Sequence, residues 1–478
     1  MKSMTPLRHC LLLVLMAILC VPLCPGYAAP PLSISRPCPS SSAVSLPARE
    51  VEEPHAVEHS RSWVNAQPGK RMPSQGTADA KETGSPVGEN LSALPRTGST
   101  EGDFGRLEDA FVSMLEQWQI PGAALGIDRP DAKEYRRGFG WADVSNCVPV
   151  APNSLFRIAS LSKPITACAV LKLAASGALD LDAPMMSVLP SYLRESKDIS
   201  DSRISRIAMR HLLLHTGGWD RQARNDTALR ISIIRATRLL DLKDRPANAE
   251  ELLRLRLTRP LDLEPGTRYA YSNFGYLLLG RVIEEASGLG YSEFVQREIL
   301  VPCGIKDMHV AAAKQDGRVE NEVLYYDYPG AHEVQSLWPN EGAVQWPYGG
   351  LHFQALDSAM GWIASTDSLL RFVGALFGEQ GNTELLPTSS REELLCPPPA
   401  SARPEEDTWH SLSGWRVRET AAGRQIWHSG TMSGTTSLVL VRPDGVRCAV
   451  LMNSRPRRWD VFNASLLDLF LSDLIRGE

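Results

Sequence analysis

The chain begins with an apolar run, Leu11 to Leu23, that follows the cations Lys2 and Arg8. Small residues come next and end at Ala29. A cationic start, a short apolar stretch and small residues are typical of a secretory signal, and the run falls short of the roughly 20 residues that span a bilayer. The pattern predicts a signal peptide over residues 1–29.

An uncleaved membrane anchor is the alternative interpretation of this segment. Pro22 and Pro25 disfavour it, because proline interrupts a helix that would have to cross the membrane. We therefore expect cleavage, no stable membrane span afterwards, and a secreted, extracellular protein, or a periplasmic one if the source is a bacterium.

The polar and apolar pattern then divides the rest of the chain into two parts. Residues 30–103 are rich in Pro, Ser, Gly and charge and follow neither a helical nor a strand period, which predicts a disordered linker. From Phe104 onward the pattern becomes regular, with helical spacing over the next turns and an apolar run, Ala123 to Ile127, that predicts a strand. The folded domain is thus predicted over residues 104–478.

Composition and charge narrow the possible functions. The 478 residues are 43% hydrophobic and 22% charged, as expected of a globular protein with a large core. The formal net charge of -5 lacks the excess of Lys and Arg that binding to a phosphate backbone requires, so no nucleic-acid partner is expected. A folded part of this size predicts two subdomains around a shared cleft.

The first candidate site is the segment Arg157 to Pro164, which opens an apolar helix that closes at Gly177. Ser160 stands at the start of this helix, where backbone amides and the helix dipole favour negative charge. Lys163 follows three residues later, on the same helical face, and a buried neutral lysine can act as a base. Taken alone the pair is weak evidence, because a helix cap and a solvated lysine would give the same pattern.

Two further segments carry polar residues beside predicted apolar elements. In the first, Tyr271 stands two residues before Asn273, on a turn that precedes an apolar helix; a phenol can relay a proton and an amide can hold a substrate carbonyl. In the second, His428, Gly430 and Thr431 lie on what resembles an edge strand, where a ligand can approach the backbone. Packing roles for these residues remain the alternative in both cases.

Taken together, the motifs occur in one order: Ser160-x-x-Lys163, Tyr271-x-Asn273 and His428-x-Gly430. This order resembles the serine β-lactamase-related family, which includes class C β-lactamases, D-aminopeptidases and related esterases. Connecting segments are similar to the family's as well, namely those at His211 to Gly218, Pro302 to Ile305 and Gly361 to Ser368. The similarity covers nearly all of residues 104–478.

The resemblance implies an α/β (α+β) β-lactamase/transpeptidase-like fold, an antiparallel sheet flanked by helices with a mostly helical subdomain. We expect the sheet near residues 104–160 and 350–478, with the helical insertion between them and Ser160 at the junction. By the same resemblance Ser160 is the acylated nucleophile, Lys163 activates it and Tyr271 moves protons. Asn273 and His428 bind substrate, and the amides of Ser160 and Thr431 form the oxyanion hole beside Gly430.

The expected reaction is acyl transfer to water, with a small-molecule acyl substrate and no cofactor or metal. Class C β-lactamases have lysine at the position of His428. Many of the esterase and peptidase relatives have histidine there, as this chain does, and this departure from the β-lactamases weakens a β-lactamase assignment. Substrates are carboxyl esters, small peptides or amides, or β-lactams, with esters favoured because they acylate most easily.

Two other functions remain as alternatives. His211 and His215 are four residues apart on a predicted helix and could share a zinc ion, but the segment lacks the glutamate of a His-Glu-x-x-His site. A secreted binding or scaffold protein that keeps the fold without turnover is the second alternative.

Further predictions concern the cleft and the surface. The segments Arg221 to Glu251 and Tyr325 to Tyr348 are expected to wall the cleft, the second with an apolar acyl pocket shaped by Trp338, Trp346 and Tyr348. Glycosylation sequons begin at Asn90, Asn225 and Asn463.

Overall fold

A computed structural model describes residues 94–98, 104–130, 134–194, 199, 201–220, 229–377, 384–387, 393–405 and 407–476. The predicted signal peptide and nearly all of the predicted linker lie outside these residues, as do the sequons at Asn90 and Asn225 and the first eight residues of the segment Arg221 to Glu251.

A large antiparallel sheet forms the centre of the described part of the chain. Its strands lie in the order β1-β3-β2-β14-β13-β12-β11-β10, with β4 paired to β3. They are β1 (Arg96–Gly98), β2 (Gly122–Asp128), β3 (Tyr135–Asp143), β4 (Val148–Pro149), β10 (Thr408–His410), β11 (Arg416–Thr420), β12 (Gly423–Met432), β13 (Thr435–Val441) and β14 (Arg447–Met452). The sheet joins strands from both ends of the folded region, as predicted.

Two small sheets lie outside this large one. The first contains β5 (Phe156–Arg157), β9 (Trp362–Ala364) and β6 (His309–Val310), in that order. The second pairs β7 (Val334–Gln335) with β8 (Ala343–Val344).

The first strand corrects the predicted linker boundary. Arg96, Thr97 and Gly98 pair with Phe139, Gly138 and Arg137 of β3, although the sequence placed them in a disordered linker that ended at residue 103. A strand of three residues is too short to show a period in the sequence. It is held in place by backbone hydrogen bonds to β3, which the pattern of side chains does not reveal.

Helices fill the region between the two groups of strands and also pack on the other face of the sheet. They are α1 (Gly105–Gln117), α2 (Ser162–Ala175), α3 (Ser191–Arg194), α4 (Met209–Leu213), α5 (Leu229–Leu239), α6 (Ala249–Leu257), α7 (Asn273–Ser287), α8 (Tyr291–Val295), α9 (Asp357–Met360), α10 (Thr366–Phe377) and α11 (Trp459–Leu471). No helix within the described ranges has both the length and the apolar content needed to cross a membrane.

The sheet separates two apolar cores because alternate residues of a strand point to opposite faces. On β2, Leu125 and Ile127 pack with Phe111 of α1 and Phe470 of α11 on one face. Ala124 packs on the other face with the helices of the insertion. Every residue of β2 is buried, which explains why its sequence is an unbroken apolar run.

Helix α2 lies inside the second core and confirms the predicted helix. Eleven of its residues are buried around its whole circumference, so it carries no polar face. It ends at Ala175, and Gly177 then adopts a positive φ of 77°, which glycine accommodates at a helix end. Lys163, in the first turn of this helix, is thereby placed in the protein interior.

Candidate active site

Ser160 lies in a tight turn between a short strand and α2. The turn, Ala159–Leu161, is a single 3-10 turn that precedes α2, so Ser160 comes just before the helix predicted to begin with it. Ala159 has a φ of 48°, a left-handed conformation that is uncommon for a residue with a side chain. Ser437 Oγ fixes the turn by donating to the Ile158 carbonyl at 2.8 Å, and Ser160 itself stays half-buried.

Lys163 is completely buried one turn further along the chain. Its ammonium donates to Ser160 Oγ at 3.2 Å, to Asn273 Oδ1 at 2.8 Å and to the Ala359 carbonyl at 2.8 Å. These contacts place Nζ within hydrogen-bond reach of the serine hydroxyl, which is the position that a general base must occupy.

Tyr271 contacts the same serine from the segment that precedes α7. Its phenol donates to Ser160 Oγ at 3.0 Å, and Lys163 Nζ lies 4.9 Å from the centre of its ring. Asn273 begins α7, whose first turn is capped by Ser272 Oγ, whereas the apolar pattern predicted a helix only from Leu277 to Ile283. Four residues of two predicted motifs thus form one hydrogen-bonded group.

The third predicted motif lies on the free part of strand β12. Pairing of β12 with β11 ends at Trp427, whereas pairing with β13 continues to Met432. The half from His428 onward is therefore an edge, as predicted, and it faces the Ser160 turn. Gly430 makes this approach possible, because a Cβ there would overlap the Ile158 carbonyl oxygen and Ser437 Oγ.

His428 is buried and neutral. Nδ1 lies 2.8 Å from the Ser429 carbonyl, and because a carbonyl only accepts hydrogen bonds, Nδ1 must carry the proton. Burial, reinforced by the nearby ammonium of Lys163, lowers the pKa of His428 from 6.5 to about 3. The imidazole therefore offers Nε2 as a hydrogen-bond acceptor and brings no positive charge to a substrate at pH 7.

Thr431 contacts the C-terminal helix through its side chain. Asn463 Nδ2 of α11 donates to Thr431 Oγ1 at 2.9 Å. The nitrogen that a glycan would modify at this sequon is thus half-buried and already engaged. The participation of the Thr431 amide in an oxyanion hole remains a prediction.

Two histidines near Tyr271 were not predicted as part of this site. His215 stacks on Tyr271 with ring centroids 4.3 Å apart, and His410 lies 5.1 Å from His215 and 6.2 Å from His428. Burial, and then the neighbouring imidazole of His215, hold the pKa of His410 well below its usual value. His410 lies on a separate strand, β10, and no sequence motif marks it.

The candidate zinc pair is not formed. Helix α4 ends at Leu213, so the prediction that one helix carries both His211 and His215 is wrong. Nδ1 of His211 accepts the Ala208 amide, whereas Nδ1 of His215 accepts the Ser272 amide on a different segment. Within the described residues, no group of three metal-ligating side chains occurs.

The predicted cleft segments contribute in different ways. Trp338 and Leu351 pack, half-buried, against an apolar cluster that contains Ala159 and Met432, the neighbours of Ser160 and Thr431. The phenol of Tyr348 instead accepts the Tyr325 amide at 2.8 Å, so this side chain is engaged within its own segment. An apolar surface beside the nucleophile turn is therefore supported at Trp338.

Replacing Gly430 with alanine is expected to separate β12 from the nucleophile turn. The new methyl group meets backbone, which cannot rotate away, so we expect a loss of about 1–3 kcal/mol in stability and about 100-fold in activity. Gly342→Ala is the matched control, since nothing lies within 4 Å of the added methyl group. Urea unfolding and ester hydrolysis measure both effects, and a Gly430→Ala protein equal to wild type in both would contradict the close approach.

The depressed pKa of His428 predicts loss of stability in acid. The unfolded chain binds this proton near pH 6.5 and the folded chain only near pH 3, so stability is complete above pH 6.5 and falls as the pH drops through this window. The shift corresponds to at most ~5 kcal/mol. Unfolding free energies between pH 4 and 8 should fall less steeply for His428→Gln than for wild type.

The exposed residue His332 supplies the control for that pH series. His332→Gln should retain the wild-type slope, because it changes a side chain at the protein surface and leaves His428 in place. Equal slopes for wild type and His428→Gln would show that His428 is protonated as easily in the folded protein as in the unfolded one.

The fold and the hydrogen-bonded Ser-Lys-Tyr-Asn group define a serine hydrolase-like protein. The chain belongs to the beta-lactamase family, whose model matches residues 107–470, and the resemblance found in the sequence is thereby confirmed. It is 24% identical over 439 residues to the serine beta-lactamase-like protein LACTB, mitochondrial, of Bos taurus, across 74% of this chain and 75% of that protein.

Two further proteins to which the chain is similar are an esterase and an amidase. It is 33% identical over 214 residues to esterase EstB of Burkholderia gladioli, across 44% of this chain and 52% of the esterase. The structure of D-amino acid amidase from Ochrobactrum anthropi SV3 superposes with a TM-score of 0.58 at 20% identity, across 77% of this chain and 99% of that one. The predicted β-lactamase/transpeptidase-like fold is confirmed.

Proposed function

We propose that the protein is a serine hydrolase that cleaves carboxyl esters through an ester intermediate on Ser160. The observation that carries this proposal is the pair of hydrogen bonds on Ser160 Oγ, one from Lys163 Nζ at 3.2 Å and one from Tyr271 OH at 3.0 Å. When either donor has lost its proton, that contact reverses, and the group takes the serine proton as Oγ attacks a carbonyl carbon.

The remaining steps use the same residues. The carbonyl oxygen becomes an anion that the amides of Ser160 and Thr431 stabilise, and the alcohol leaves with a proton from Tyr271. Water then attacks the carbonyl carbon of the acylated serine and gives up a proton to the Lys163 and Tyr271 pair. The bond from that carbon to Ser160 Oγ breaks, the pair returns the proton to Oγ, and the carboxylic acid departs. Asn273 Oδ1 accepts from Lys163 Nζ and so holds the side chain beside the serine throughout.

Two features favour neutral, apolar esters over other acyl compounds. His428 is neutral and offers an acceptor, so it provides no fixed cation for a substrate carboxylate. The half-buried side chains of Trp338 and Leu351 add apolar surface beside the nucleophile turn. The similarity to an esterase over part of the chain agrees with this choice.

The proposal is tested by comparing hydrolysis of p-nitrophenyl butyrate, a D-amino-acid amide and a cephalosporin by wild type and Ser160→Ala. We expect turnover of the ester that exceeds turnover of the other two and is lost with Ser160→Ala. Faster turnover of the amide or the cephalosporin would replace the ester assignment. Equal turnover by Ser160→Ala, or none by wild type, would contradict a Ser160 hydrolase and favour a binding protein on this fold.

Secretion is proposed on the residues 1–29 alone, which lie outside the described part of the chain. LACTB, to which the chain is similar, is described as mitochondrial, so import into an organelle is the alternative to export. N-terminal sequencing of the protein recovered from the culture medium should show a chain that begins near residue 30. Retention in the cells would contradict secretion.

A further inference from the structure

His215 holds the segment around Tyr271 at three points. Its carbonyl oxygen accepts the Ala270 amide at 2.8 Å, and its Nδ1 accepts the Ser272 amide at 3.1 Å. Its ring stacks on the Tyr271 ring with centroids 4.3 Å apart and planes at 28°. The residues on both sides of Tyr271 and the ring of Tyr271 itself are therefore held by one residue.

The backbone of His215 is adapted to this arrangement. Its φ is 57°, in the left-handed region, which is unfavourable for a residue with a side chain and persists only where surrounding contacts compensate. The turn lies directly after α4 and directs both the carbonyl and the imidazole toward the Tyr271 segment. His215 is 1% exposed, with Tyr276 and His410 packed at 5.1 Å from its ring.

A phenol can exchange a proton with Ser160 only while it stays within hydrogen-bond distance. The Tyr271 phenol lies 3.0 Å from Ser160 Oγ, and a displacement of about 1 Å would break the contact. Tyr271 precedes α7 and stands outside any helix or strand, so regular secondary structure does not fix its backbone. The contacts from His215 supply that restraint.

We propose that His215 is a positioning residue that sets the Tyr271 phenol against Ser160. This inference rests on the proposed function, because it concerns the proton transfer in which Tyr271 takes part. His215 itself does not contact the reacting atoms; it acts through Tyr271.

Two substitutions suit the left-handed backbone and separate the contributions. His215→Gly removes the ring and the Nδ1 acceptor while glycine accepts the positive φ without strain. His215→Asn keeps an acceptor at the position of Nδ1 and loses the stacked ring, and asparagine also tolerates this conformation. His309→Gly, at an exposed histidine on β6, is the matched control.

We expect His215→Gly to lower kcat for p-nitrophenyl butyrate by about 50-fold with little change in KM, because substrate contacts are retained. His215→Asn should lose only about 5-fold, and His309→Gly should equal wild type. The decisive readout is the Tyr271→Phe background: there His215→Gly should cost less than about 3-fold further, because the phenol it positions is gone.

Other outcomes overturn the inference. An equal loss in both backgrounds would show that His215 acts independently of the phenol, as a structural residue would. Wild-type kcat in a folded His215→Gly protein would show that the restraint is not needed. A wild-type protein that does not react with the ester at all would overturn the proposed function and this inference together, so the two failures are distinguishable.

Discussion

Lys163→Met is expected to lower kcat/KM for ester hydrolysis by about 1,000-fold or more. Methionine fills nearly the same volume but has no amine, so the donor at 3.2 Å from Ser160 Oγ disappears. The bond from Nζ to Asn273 Oδ1 is lost as well, and with it the link between α2 and α7 beside the serine. Burst kinetics with p-nitrophenyl butyrate measure the acylation step on which this loss should fall.

The same helix supplies a matched control for that substitution. Lys172 lies further along α2, where its Nζ donates to the Glu298 carbonyl at 2.6 Å, away from the serine. Lys172→Met should keep activity near that of wild type, while both variants unfold cooperatively. Full acylation by Lys163→Met would exclude this lysine as the activating base.

Tyr271→Phe is expected to lower kcat by about 100-fold to 1,000-fold. The substitution removes the phenol that lies 3.0 Å from Ser160 Oγ and retains the ring stacked on His215, so the segment should keep its position. The loss should be larger for substrates with poor leaving groups, because those depend most on proton donation. Comparing p-nitrophenyl and ethyl esters of one acid measures this dependence.

Tyr192→Phe is the control, because it removes a phenol from a different part of the chain, helix α3. It should hydrolyse both esters as wild type does. Equal losses for the two esters in Tyr271→Phe would contradict a role for the phenol in protonating the leaving group.

The site residues could be proposed from the sequence because three short motifs occur in an order that resembles a known family. Ser160 and Lys163 share one helical segment, and the buried apolar pattern of α2 places the lysine in the interior. Tyr271 and Asn273 are marked by their short spacing before a helix. Each motif alone is weak evidence, and their order, which resembles that of the serine β-lactamase-related family, is what predicted that these residues form one group.

The contacts that hold the group in place could not be predicted in the same way. His215 packs on Tyr271 and His410 approaches from β10, so each contact joins segments that are far apart in the chain. Pairing of β1 with β3 depends on backbone hydrogen bonds, to which side-chain patterns are insensitive. Tertiary packing decides these features, and a single sequence carries no periodic signal for them.

The most direct test of a nucleophilic Ser160 is covalent trapping of the folded protein with a fluorophosphonate, followed by mass analysis of its peptides. The structure predicts one adduct per chain, on the peptide that contains Ser160, and none in Ser160→Ala. Absence of an adduct in folded wild type, or an adduct on another serine that persists in Ser160→Ala, would contradict the assignment.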